Sequence, residues 1–195
     1  MNLLNKLKYV SLMCIASIAH AGPFSQCPEN AFLVQTNVAK LYSVNLATGF
    51  YELLSEDMAT SGKLNAMGYN FHDDYLYAYS YEYQTIVRIG DDYQVEALSV
   101  SGFPNTSFYV GDISLSENYY YLYRPGSNFG LYRVNLNEEA SDYLTTERII
   151  NGSALNLAIY DFSFHPESGL LYSVNSQGDL VQINPETGGL NYLGR

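Results

Sequence analysis

Apolar residues in this chain come in short runs separated by clusters of Gly, Asn, Asp and Pro, and within many runs they alternate with polar ones. Near the C-terminal end Leu180, Gln182 and Asn184 face one way and Val181 and Ile183 the other. That is the period of two expected of a strand. The turns NSQG (175–178) and NPETGG (184–189) bracket it, so residues 169–194 read as three strands and two turns. With Phe162–Phe164 ahead of them, the last unit holds four short strands, at roughly Phe162–Phe164, Leu170–Val174, Leu180–Asn184 and Leu190–Leu193. No useful helical period occurs beyond the first twenty-one residues.

The pattern repeats. The strand leading into the turn recurs as KLYSVNLATG (40–49), TIVRIGDDYQ (85–94), GLYRVNLNEE (130–139) and DLVQINPETG (179–188). Its central residues Val44, Ile89, Val134 and Ile183 return every 45 to 49 residues. A second strand recurs in step, as GYNFHDDYLYAY (68–79), DISLSENYYYLY (112–123) and DFSFHPESGLLYSV (161–174), anchored by Phe71, Leu115 and Phe164. Two independent anchors with one period establish a repeat of roughly 27–55, 66–99, 111–145 and 160–195. Four antiparallel strands in such a period describe the blade of a β-propeller, an all-β fold.

The first unit is short. It offers Phe32–Gln35, Leu41–Asn45 and Tyr51–Leu54, while GPFSQCPEN (22–30) is too short and turn-rich to supply an inner strand. About three and three-quarter blades are therefore expected, as a small ring with one incomplete blade or as the front part of a longer propeller. An unclosed arrangement leaves two apolar blade faces in water and invites self-association through the open edges.

The motif G-x-LY-x-V-N…D-L-V-x-I-N-P-x-T-G-x-x-x-x-L-G resembles the blade of secreted bacterial propellers of poorly defined function, and the likeness extends over 27–195. Such domains often form the N-terminal part of larger extracellular or surface proteins. The resemblance implies the fold strongly and function hardly at all. Units two and three depart from the motif, with GDDYQ and NLNEEA in place of the NPETG turn.

The first twenty-one residues change the compartment. Lys6 and Lys8 precede an apolar stretch, Tyr9 to Ile18, and Ala19-His20-Ala21 supplies small residues for a signal peptidase. Cleavage after Ala21 and export to the periplasm, cell surface or medium are expected, with residues 22–195 as the propeller. A lipoprotein signal around Cys14 is the weaker alternative, because Met13 is bulky and no small-residue box precedes it. Loss of that segment leaves Cys27 alone, so no intramolecular disulfide can form. A net charge of −11 argues against nucleic acid and anionic membranes as partners. No second apolar segment approaches membrane-spanning length. Twenty tyrosines and no tryptophan suit half-buried strands.

Candidate chemistry is sparse. In a propeller the links between blades share one end of the ring with the second-to-third strand turns. The links 55–67, 99–111 and 145–160 are long, and loops longer than a hairpin needs are commonly functional. On that end Tyr79, Tyr81, Tyr83, Arg124, Asn128 and Phe129 offer aromatic platforms with hydrogen-bonding neighbours, suited to a protein, peptide or glycan; the alternative is that these rings simply pack between blades. Asp112 and Asp161 both open inner strands, and with Asn70 nearby they form the minimal set for a Ca²⁺ on the axis; alternatively each caps its own blade. His72 and His165 hold equivalent turn positions, which indicates turn chemistry. No G-x-S-x-G elbow, paired Cys–His or phosphate-binding glycine loop is present, and the sequons at Asn105 and Asn151 matter only in a eukaryotic secretory route. The expectation is a binding or scaffold module with no cofactor. The alternatives are a propeller enzyme (calcium-dependent and lactonase- or esterase-like, or a quinone-dependent dehydrogenase) and a fragment of a larger surface protein.

Overall fold

The computed structural model describes residues 21–25 and 30–195. The predicted leader up to His20, and Cys27 with its possible pairings, lie outside the described residues. Fifteen strands and no helix make up the rest. They form four antiparallel sheets, each a meander: β1 (Ala31–Gln35), β2 (Lys40–Val44) and β3 (Tyr51–Ser55); β4 (Leu64–Asn70), β5 (Tyr75–Ser80), β6 (Thr85–Ile89) and β7 (Val95–Ala97); β8 (Val110–Ile113), β9 (Tyr119–Arg124), β10 (Gly130–Asn135) and β11 (Thr146–Asn151); β12 (Ser163–Phe164), β13 (Leu171–Val174), β14 (Leu180–Ile183) and β15 (Leu190–Gly194). These are blades 1 to 4 of a four-bladed β-propeller. The inner strands β4, β8 and β12 lie side by side, and β1 approaches β4.

Blade 1 lacks the innermost strand among the described residues, as its sequence predicts. Residues 21–24 lie against blade 2 instead. Phe24 N–H donates to Asp74 O at 2.8 Å, Asp91 N–H donates to Gly22 O at 3.0 Å, and the Tyr75 hydroxyl donates to Ala21 O at 3.0 Å.

The outer strand of blade 3 begins later than the sequence suggests. Residues 136–145 form a longer loop before β11, so the segment read as the link 145–160 contains a strand at 146–151. The reason is local. Asn135 closes the loop with Leu144 N–H donating to its carbonyl at 2.8 Å and its own Nδ2 donating to Asp142 at 2.8 Å.

Every buried apolar side chain among the described residues belongs to one of three clusters, and each cluster is a joint between consecutive blades. Phe32, Val34 and Leu41 of blade 1 meet Leu76, Ala78, Val87 and Ile89 of blade 2. Tyr77, Tyr79 and Ile86 meet Tyr120, Leu122, Tyr132 and Val134 of blade 3. Tyr121, Tyr123 and Leu131 meet Leu171, Val181 and Ile183 of blade 4. Close approach is built into the inner strands: a Cβ on Gly111 would stand 3.0 Å from both Ala66 Cβ and Ala66 O. Between blade 4 and blade 1 there is a seam, and no buried cluster among the described residues spans it.

Two guanidinium groups reinforce the middle joints. Arg88 pairs with Glu96 on its own blade and Glu138 on the next, and lies over the Tyr75 ring at 4.5 Å. Arg133 repeats this with Glu147, Glu186 and the Tyr119 ring at 4.7 Å. The corresponding positions of blades 1 and 4 hold Ser43 and Gln182.

Candidate functional site

Antiparallel order puts the β5–β6, β9–β10 and β13–β14 turns at one end of the blades, together with the links 56–63, 98–109 and 152–162. There the sequence-predicted residues divide. Tyr79 is buried: its ring packs against Tyr81 at 5.2 Å, Phe108 at 5.9 Å and Phe103 at 6.2 Å. Tyr81 is half-buried and carries the Lys63 ammonium 4.1 Å from its ring centre. Tyr83 is exposed, its hydroxyl donating to Ala59 O at 3.3 Å. Beside it Glu82 accepts from Thr60 Oγ1 and Ser61 N–H, both at 2.6 Å, and the Thr60 bond first, then Ser61, holds its carboxyl below the usual range.

Arg124 is the anchor of the blade 3 part. It donates through Nη1 to Ser107 O at 2.7 Å and Ser107 Oγ at 2.8 Å. Its guanidinium lies 5.3 Å from the Phe129 ring centre and 5.9 Å from that of Tyr109, within cation–π range of both. Asn128 is exposed, and its backbone carbonyl accepts from Arg148 at 3.2 Å. The structure thus brings Arg124 and Phe129 together, sets Tyr81 under Lys63, and sends Tyr79 into the joint between blades 2 and 3.

Tyr109 also opens onto the axis. A cavity of about 290 Å³ lies there, lined by Leu33 and Val34 of blade 1, the start of β4, Tyr109 before β8, and Tyr160 and Asp161 before β12. All four blades contribute to it. Sequence reasoning overlooked Lys63, Tyr109 and Tyr160. Their only signal was an aromatic or basic residue at the end of a long link, just ahead of an inner strand.

The predicted metal residues all bind protein groups. Asn70 is fully buried, donates to Asn118 Oδ1 at 2.9 Å and accepts from His72 N–H at 3.1 Å. Asp112 and Asp161 approach one another across the joint between blades 3 and 4. Asp112 Oδ2 accepts from Ser163 Oγ and Phe164 N–H on blade 4, both at 2.9 Å. Asp161 of blade 4 accepts in return from the Gly111 backbone of blade 3, and from its neighbour Phe162 N–H at 2.9 Å. Each carboxylate therefore straps the opposite blade's backbone. Burial raises both pKa values. For Asp161, desolvation and then the Asp112 charge outweigh the backbone donors and push it up to about 6. Among the described residues no group of three or more His, Cys, Asp or Glu is arranged to hold a metal.

A family described as a repeat of unknown function, DUF6923, matches residues 32–194. No curated protein matches the chain. Among solved structures, a protein of unknown function from Bacteroides thetaiotaomicron is similar at 10% identity and TM-score 0.57, over 84% of this chain and 40% of that one. Nidogen, in a complex with laminin, is similar at 13% identity and TM-score 0.57, over 90% of this chain and 64% of that one. TolB from Acinetobacter baumannii is similar at 12% identity and TM-score 0.53, over 85% and 41% respectively. The chain thus spans from two-fifths to just under two-thirds of these structures' lengths, and at such identities the likeness shows the fold alone.

Proposed function

We propose that this chain, which belongs to the DUF6923 repeat family, is an exported binding module that recognises a protein, peptide or glycan through the loop end of the propeller. One observation carries the reading: a cavity lined from all four blades adjoins a shelf on which Arg124 lies between Tyr109 and Phe129. Aromatic faces beside fixed cations bind the apolar faces of sugars or side chains while offering donors to their polar groups. The laminin complex of nidogen, a propeller of similar shape, supports testing protein segments first.

The test is a screen of the purified chain on peptide and glycan arrays, followed by titration of the best hit. Arg124→Ala and Tyr109→Ala should each weaken binding by on the order of tenfold, a loss of about 1.4 kcal/mol. His165→Ala, at the other end of the blades, should leave it unchanged. Equal affinity for all four proteins would remove the loop end as the site.

One feature favours the enzyme alternative. Asp161 lines the axial cavity, and its pKa near 6 suits proton transfer close to neutral pH. Stoichiometric Ca²⁺ in purified protein, measured by emission spectroscopy, would move the assignment toward a hydrolase.

A further inference from the structure

The end of the blades opposite the loops carries a groove of its own. The repeat anchors Phe71, Leu115 and Phe164 each stand where an inner strand turns back, so they gather around that mouth of the axis. Phe164 is buried and packs edge-on against Tyr121 at 5.0 Å, whereas Phe71 is 55% and Leu115 37% exposed. A pocket of about 180 Å³ lies between them, walled by Tyr69 and Phe71 of blade 2, Leu115 of blade 3 and Phe164 of blade 4, with Asp112 in its lining. A second hollow, of about 160 Å³, shares Leu115 and Phe164 and reaches His165 and Glu167 on blade 4. Turns are built from small and polar residues, so large apolar side chains exposed there around one pocket mark a contact surface.

Charge identifies the guest. The turns of this end carry Asp or Glu twice in 71–74 and in 90–94, three times in 136–145, and once each in 114–118, 165–170 and 184–189, yet no Lys or Arg. Two guanidinium groups reach this end from the strands, Arg88 to Glu138 and Arg133 to Glu186, and each is already shared with a second carboxylate. Asp112, at the pocket, accepts from Ile113 N–H at 2.8 Å and from Ser163 Oγ and Phe164 N–H, both at 2.9 Å. Among the described residues no cation pairs with it. The loop end differs, with Lys63, Arg124 and Arg148 beside its links and turns. A carboxylate beside apolar walls matches the two parts of a Lys or Arg side chain, its methylene stem and its charged head, and the Tyr69 and Phe71 rings add cation–π attraction.

We propose that this groove docks a basic segment of a partner protein, with a Lys or Arg side chain lying along Phe71 and Leu115 toward Asp112 and an apolar neighbour filling the hollow beside Phe164. The acidic turns steer such a segment to the mouth of the axis, and the apolar walls hold it there. An acidic segment would meet like charge on every side. The contact lies at the opposite end of the blades from the loops, so it stands whether or not the loop end binds a ligand.

Fluorescence anisotropy tests this with labelled decapeptides that alternate Lys with Leu, Glu with Leu, or Lys with Ser. The Lys–Leu peptide should bind the purified chain, and less tightly as NaCl rises from about 50 to about 500 mM. Phe71→Ser and Leu115→Ser alter exposed side chains, so each should keep the wild-type circular dichroism while lowering the affinity by on the order of tenfold. Asp112→Asn keeps an oxygen to accept from Phe164 N–H and removes the charge, and should weaken the Lys–Leu peptide likewise. Tyr192→Ser, at an exposed position of the outer strand β15, should change nothing. Equal affinity for the Glu–Leu or the Lys–Ser peptide would overturn the proposal. So would wild-type affinity in both Phe71→Ser and Leu115→Ser, or no binding to the wild type at about 1 mM peptide. Sedimentation checks the competing occupant: a wild type that self-associates and that Phe71→Ser renders monomeric would put a second copy on the groove and overturn the proposal too.

Discussion

The joint between blades 3 and 4 and the seam between blades 4 and 1 are built from the same register positions, yet they behave as opposites. At the joint, Tyr123 is 1% exposed, and its hydroxyl accepts from Leu157 N–H at 2.7 Å while donating to Leu157 O at 3.1 Å. At the seam, the matching position is Val174, more than half exposed. Neither local propensity nor strand pairing distinguishes them, since both lie in regular antiparallel ladders. The difference lies in whether a buried cluster covers that side among the described residues, and it shows that the apolar burial of a blade comes from its flanks, while its hydrogen bonds are the same in both places.

The sharpest way to break the comparison is to truncate both positions. Tyr123→Ala removes a buried ring and leaves the Leu157 amide without its acceptor, so urea unfolding should show a loss of about 3–5 kcal/mol. Val174→Ala in the monomer should cost under about 0.5 kcal/mol. Similar losses at both sites would mean that the seam is packed in solution.

A smaller effect separates the two ends of Asp161's titration. Its pKa stands near 6 in the folded chain and close to 3.9 when unfolded. Between about pH 4 and pH 6 the folded state therefore binds more protons than the unfolded one, and stability falls as pH rises through that window. Asp161→Asn keeps an acceptor for the strap and cannot ionise. Its melting temperature should gain on the wild type between pH 4 and pH 7, and a constant difference across that range would show that the strap does not titrate.

The mildest test concerns the clamps. Arg133→Met retains the packing over Tyr119 and loses the bridges to Glu147 and Glu186, whose carboxylates are largely exposed. A destabilisation of about 0.5–1 kcal/mol at low salt should shrink in 1 M NaCl.

These contrasts also explain what the sequence disclosed. The period was legible because the joint positions recur, as Val44, Ile89, Val134 and Ile183 do. Among the described residues blade 1 has three strands, and the sequence suggested as much because GPFSQCPEN has no strand pattern. Alternation was clearest in Leu180–Asn184, and the structure supplies the reason: one side of that strand faces the seam, which no buried cluster among the described residues covers. Leu76 to Ser80 in blade 2 are all buried, so both sides read as apolar and nothing in the string says which ring faces a ligand and which a blade. Tyr79 was therefore indistinguishable from Tyr83. The strap from Asp112 to the backbone of Phe164 left no trace either, because any residue presents the same amide.

The recurrence of one joint has a consequence for how such a chain can change. Each blade presents a socket to its predecessor and a plug to its successor, made at fixed points of the repeat, so a tandem duplication of one unit would insert between its neighbours with both connections already shaped. Blade number is then a quantity that can drift by whole units while the fit at every junction is inherited. Selection on such a molecule acts on the loops of individual units, since the means of joining them is held in common.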